Sequence, residues 1–173
     1  GGGDWAQNRI VVDCVEAWSK GQIVEIRSPN ATRPWQHVLE PLSGYLSLGK
    51  ELYENNSLNG EGFNFGPKAE QNHSVQKLIE DLSDYWDFKS GDEAFKITDN
   101  IPFHEAGLLK LSCDKALFYL KWQANMEYKE TIKFTSEWYY NYYKNKKNIL
   151  DKTLSQISEY ESIAKKKGLA WTE

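Results

Sequence analysis

No run of about 18 apolar residues occurs in this 173-residue chain, which excludes an ordinary membrane-spanning helix. The first residues lack the charged-then-apolar layout of a secretory signal. They read Gly1-Gly2-Gly3 rather than opening on methionine, as expected of a processed product or a piece of something longer. Cysteine is scarce: Cys14 and Cys113 lie far apart in apolar contexts with no metal-ligand spacing. They read as buried free thiols in a reducing compartment, the cytoplasm. Sequons at Asn30, Asn55 and Asn72 would matter only in a secreted protein. The net charge of -4 speaks against a general nucleic-acid binder, which needs a basic surface. The basic residues are mostly lysine, and Arg9, Arg27 and Arg33 are the three arginines. None of His37, His73 and His104 has a metal-type partner at three or four residues' distance. No Gly-x-Gly-x-x-Gly loop, Walker loop, Ser-His-Asp or Cys-His signature is present.

What is present suits one domain with a real core: 40% hydrophobic residues against 27% charged, with seven Trp and ten Tyr. Apolar spacing predicts a helix over 10–20, in which Ile10, Cys14, Val15 and Trp18 share a face and Gly21 supplies the stop. Further helices are expected over 42–54 (a stripe of Leu42, Tyr45, Leu46, Gly49, Leu52 and Tyr53), 74–86, 114–120, 128–144 and 149–167. Strands are expected over 22–27, 33–38, 62–66, 94–98 and 108–111. The alternation indicates an α/β organisation. The aromatic stripe of Trp138, Tyr139, Tyr140, Tyr142 and Tyr143 reads as core and interhelical packing rather than a base-stacking platform.

The run Ala31-Thr32-Arg33-Pro34-Trp35-Gln36-His37-Val38-Leu39-Glu40-Pro41-Leu42-Ser43-Gly44-Tyr45-Leu46 carries the most information. Pro34 pushes Arg33 toward an extended conformation. Glu40-Pro41 then opens a helix, with a carboxylate at its positive end and proline in its first turn. A guanidinium held this way suits a diphosphate, because its planar fork grips two oxygens, though pairing with a neighbouring carboxylate fits the spacing equally. His37 reads as a half-buried, satisfied histidine and His73 as exposed. His104-Glu105 follows a turn, where ligand contacts are common.

This block resembles the most distinctive motif of the CDP-glucose 4,6-dehydratases, which are extended short-chain dehydrogenase/reductase proteins. Gly1-Gly2-Gly3-Asp4-Trp5-Ala6 with Arg9-Ile10, Phe63-Asn64-Phe65-Gly66-Pro67, and His104-Glu105-Ala106 with Leu109-Lys110-Leu111 and Lys115-Ala116 are similar in order and spacing. So are Trp138-Tyr139 and Gln156-Ile157 with Tyr160, and the likeness runs over nearly the whole chain. Val12 stands where proline is usual, and Gly107 where a larger residue is common.

The resemblance implies the C-terminal part of an extended Rossmann-type protein, mainly its smaller mixed α/β substrate-binding domain. Residues 1–173 would form a single nucleotide-sugar-binding region carrying the last strand and helices of the Rossmann domain. In the family, NAD oxidises the sugar at C4, water leaves from C5–C6, and the hydride returns to C6. The Gly-rich NAD loop and the Tyr-x-x-x-Lys pair lie upstream in family members, so no catalytic residue is assigned here. By resemblance Arg33 holds the diphosphate of CDP-glucose, Arg9 with Asp4 and Trp5 borders the substrate, and His104 and Glu105 lie near phosphate or ribose. The implied partners are the missing N-terminal half and, at full length, further copies in a homodimer or larger assembly. Neither nucleic acid nor membrane is implied. Cut from its neighbours, the Phe63-Asn64-Phe65 strand is expected to expose an edge and an apolar face, leaving the isolated chain sticky and inactive. Two other readings fit less of the pattern: a fragment of another extended-family epimerase or dehydratase, and a non-catalytic sugar-nucleotide-binding module.

Overall fold

A computed structural model describes residues 1–88, 93–98, 108–145 and 148–172. His104, Glu105 and Gly107 lie outside the described residues. The elements run α1 (Ile10–Ser19), β1 (Val24–Ile26), β2 (Thr32–Arg33), α2 (Leu39–Glu54), β3 (His73–Ser74), α3 (Val75–Ser83), β4 (Phe95–Ile97), α4 (Asp114–Leu120), α5 (Tyr128–Lys144) and α6 (Ile149–Lys166). The protein is thus mixed α/β, with six α-helices and two small sheets among the described residues.

β1 pairs in parallel with β4, with Val24 opposite Phe95 and Ile26 opposite Ile97. Glu25 and Lys96 face each other on that ladder and form an ion pair at 2.9 Å. β2 pairs antiparallel with β3, Arg33 opposite His73, and Thr32 makes a lone parallel bridge to Leu108. The expected strand over 33–38 therefore ends at Arg33, because Pro34 has no amide hydrogen for a ladder. Residues 62–66 join no strand ladder among the described residues, and of 108–111 only Leu108 bridges. Phe65 is not on an exposed strand face either: it is 7% exposed and packs edge-on to Trp122 at 4.9 Å.

The main core joins Cys14, Val15 and Trp18 of α1 to Leu78, Ile79 and Leu82 of α3 and to Ile132, Trp138 and Tyr139 of α5, across Val24 and Ile26 of β1. Ser74 caps α3 by accepting the Lys77 amide, and Glu127 and Glu130 form a reciprocal capping box at the start of α5. α6 ends where Gly168 takes a φ of +63°, a left-handed value that glycine adopts without steric cost. Cys14 is fully buried, and burial pushes its thiol up to about 12. Cys113 is half-buried with its Sγ 3.8 Å from the Gly66 carbonyl, and both thiols are free.

α2 departs from its apolar periodicity. Leu42, Tyr45, Leu46 and Tyr53 point to solvent, whereas Glu40, Ser43 and Gly44 are buried. Gly44 permits this, since a Cβ there would overlap the Phe65 ring. The buried Glu40 carboxylate accepts the backbone amides of Asn125 (2.9 Å) and Met126 (2.5 Å) and the Tyr160 hydroxyl. Its role is to tie α2 to the segment before α5 and to α6, beyond the expected interaction with its own helix terminus.

Candidate nucleotide-sugar cleft

All three arginines of the chain line one cleft of about 650 Å³. Each arrives at the end of a different element. Arg9 is the extended N-cap residue of α1, Arg27 follows β1, and Arg33 closes β2. The turn after Arg27 is fixed by backbone bonds: the Gln76 amide donates to the Pro29 carbonyl, and the Val75 amide to the Ala31 carbonyl. Those bonds lock the start of α3 beneath the loop that carries Arg33.

The Arg33 guanidinium is half-buried and donates through Nη1 to its neighbour's carbonyl, Thr32 O, at 2.8 Å. Trp35 Nε1 donates to the His73 carbonyl at 2.8 Å, and Gln36 Nε2 to the Phe65 carbonyl at 3.0 Å. The block around Arg33 is therefore pinned to β3 and to the 62–66 segment before any ligand arrives. Gln36 Oε1 lines this region buried and, among the described residues, without a hydrogen-bond partner. A buried acceptor left open costs free energy unless a donor reaches it.

His37 is buried rather than half-buried and is satisfied at one nitrogen, Nδ1, which accepts the Leu39 amide at 3.4 Å. It is 3% exposed, its Nε2 lacks a partner among the described residues, and burial pushes its imidazole down to about 3. It is neutral near pH 7 and sits edge-on to Phe134 at 5.6 Å. His73 is half-buried, with its ring stacked on Tyr128 at 3.7 Å.

Asp4, Asp13 and Glu25 also line the cleft, so its charge is mixed. Burial raises the Asp13 carboxyl above its ordinary value, while Lys96 and, less strongly, Arg27 hold Glu25 below it. The floor is α5, where Thr131, Thr135 and Tyr139 follow at four-residue steps along one face. The Tyr139 hydroxyl donates to the Asp4 carbonyl at 2.8 Å and holds the Asp4 loop against the helix. Trp5 does not line the cleft. It packs among Tyr139, Tyr142 and Tyr143 at 4.7 to 6.2 Å between ring centroids, which anchors the same loop from behind.

Of the residues singled out in the sequence, Arg33, Arg9 and Asp4 are brought together and Trp5 is set aside. Sequence reasoning missed Arg27, Gln36 and the hydroxyl row of α5. The scarcity of arginine was the one signal pointing to Arg27. Chemically, the guanidinium forks can donate to a diphosphate while the neighbouring carboxylates accept hydrogen bonds from sugar or ribose hydroxyls in the same concavity. Among the described residues no three His, Cys, Asp or Glu side chains gather to hold a metal ion, and no helix is long and apolar enough to cross a membrane.

No family model matches the chain. Among curated proteins it is 38% identical over 164 residues to a CDP-glucose 4,6-dehydratase of Salmonella typhimurium strain LT2. The match takes in 94% of this chain but 44% of that protein, so the chain spans less than half the length of the curated relative. The resemblance drawn from the motifs is borne out: this chain is similar to a portion of a CDP-glucose 4,6-dehydratase.

Proposed function

We propose that this chain is the C-terminal, substrate-binding portion of a CDP-glucose 4,6-dehydratase, a lyase of soluble deoxysugar biosynthesis. The observation that carries the reading is the convergence of Arg9, Arg27 and Arg33 on one cleft, with the Arg33-Pro34-Trp35-Gln36-His37 block at its wall. Arg33 is the diphosphate ligand, because its approach is fixed on both sides by the β2–β3 ladder and Trp35. Arg9 and Arg27 supply positive charge at the rim. Asp4 and Asp13 accept hydrogen bonds from sugar hydroxyls.

In the whole protein the fold is completed as an extended Rossmann-type short-chain dehydrogenase/reductase, of which residues 1–173 form one region. NAD belongs to the other part. The residues here do not fit it: Gly2 packs so tightly under Trp138 that a Cβ would overlap the indole, and the glycine run leads into Asp4 and Trp5, not a helix N-terminus. No step of the reaction is therefore assigned to this chain, and His104 and Glu105 remain ligand candidates on resemblance alone. Calorimetric titration of the chain with CDP-glucose and UDP-glucose tests the reading. Tighter binding of CDP-glucose is expected, and equal or absent binding of both by a folded chain would overturn it.

A further inference from the structure

The apolar stripe of α2 faces away from the body of the protein. Leu42, Tyr45, Leu46 and Tyr53 are 44, 60, 76 and 92% exposed, although they recur at the spacing that normally marks a core-facing side. α4, packed beside α2, adds Leu117 and Phe118 at 50 and 68%. The inner face of α2 is already committed. Glu40 and Ser43 are bonded to partners about 80 residues or more away, and Gly44 is closed by Phe65. A helix with its polar side locked inside and its apolar side outside is a boundary between two bodies. Gly49 lies on the same outward stripe in mid-helix, where glycine is unfavourable, and a Cβ there would meet nothing within 4 Å. Nothing among the described residues fills the notch it leaves. The curated relative supplies the second body, since more than half of its length has no counterpart here.

We infer that the outward stripe of α2, continued by Leu117 and Phe118, is the docking face for the remaining polypeptide of the longer protein, with Gly49 the point of closest approach. The inference rests on the reading of this chain as a portion of a sugar-nucleotide dehydratase. Lys50, exposed one helical turn from Leu46 and from Tyr53, edges the stripe, so the face it meets is apolar at its centre with room for one cation at its rim.

Co-expression of the tagged chain with the part of the Salmonella enzyme outside the match tests this, read by affinity capture and light scattering. One-to-one capture is expected, reduced at least tenfold by Leu46→Glu and by Gly49→Leu. Leu154→Glu, at a position 53% exposed on α6, should leave capture unchanged. Far-UV circular dichroism establishes that each variant is folded. No capture by the wild-type chain, capture indifferent to Leu46→Glu, or a symmetric dimer of this chain broken by Leu46→Glu would each overturn the inference. Binding of CDP-glucose to the arginine cleft is measured on the chain alone. Lost capture with intact sugar-nucleotide binding therefore removes the docking face only, and the reverse result removes the functional reading only.

Discussion

The Tyr160 hydroxyl donates to the Glu40 carboxylate at 3.1 Å, joining the first turn of α2 to the middle of α6 across 120 residues of chain. The same carboxylate accepts the Asn125 and Met126 amides, while Ser43 Oγ beside it meets both the Tyr160 hydroxyl and Trp122 Nε1. Burial raises the Glu40 carboxyl above its ordinary value even against these donors. Glu40→Ala would strand the buried Asn125 and Met126 amides, while the Tyr160 hydroxyl keeps Ser43 Oγ as a partner. We expect it to lower the unfolding free energy by about 3–5 kcal/mol in urea titration, and Tyr160→Phe by about 1 kcal/mol.

Two glycines of α2 have opposite expected outcomes. Gly44→Ala places a methyl group into the Phe65 ring and should destabilise by about 1–3 kcal/mol. Gly49→Ala meets open space in a helix and should stabilise the isolated chain by roughly 0.5–1 kcal/mol. Thermal unfolding followed by circular dichroism separates the two, and a common sign would contradict the placement of α2.

His37 links stability to acid. Its folded pKa, about 3, lies below its ordinary 6.5, so between those values the unfolded chain binds the extra proton. The stability present above pH 6.5 is lost as the pH falls toward 3, at up to roughly 1.4 kcal/mol per pH unit. Glu40, raised above its ordinary 4.5, works in the opposite direction, contributing below that value and losing the contribution as pH rises. Comparison with His37→Gln isolates the histidine. Its loss of stability between pH 7 and pH 5 should be smaller than the wild type's by about 2 kcal/mol.

Arg27 is exposed at the cleft rim, where water and salt weaken its pull. Arg27→Ala should weaken CDP-glucose binding about two- to five-fold, with the difference shrinking at high salt. A salt-independent effect would argue against a rim role.

Helices were legible in the chain because their signals are local. α4 and α5 begin and end where spacing places them, and α1 and α6 agree within a residue. Strands were not, since pairing depends on residues far away. Val24–Ile26 found Phe95–Ile97, whereas 62–66 found no partner among the described residues. The stripe of α2 was read as amphipathic, and its outward direction was not legible: a period identifies a face, not the neighbour it meets. Arg33 was legible from Pro34 and the aromatic flank. Arg27 was not, because it follows a three-residue strand with no motif around it. Trp5 was grouped with Asp4 by adjacency, yet one borders the cleft and the other packs behind it.

The central claim is that Arg33 holds the diphosphate of a nucleotide sugar in the three-arginine cleft. Its most direct test is calorimetric titration of CDP-glucose into the wild-type chain and into Arg33→Ala. Loss of a charge-assisted pair predicts binding weakened about 10- to 100-fold in the variant, with the unfolding midpoint changed little. Equal affinity of the two folded chains for CDP-glucose would contradict the account.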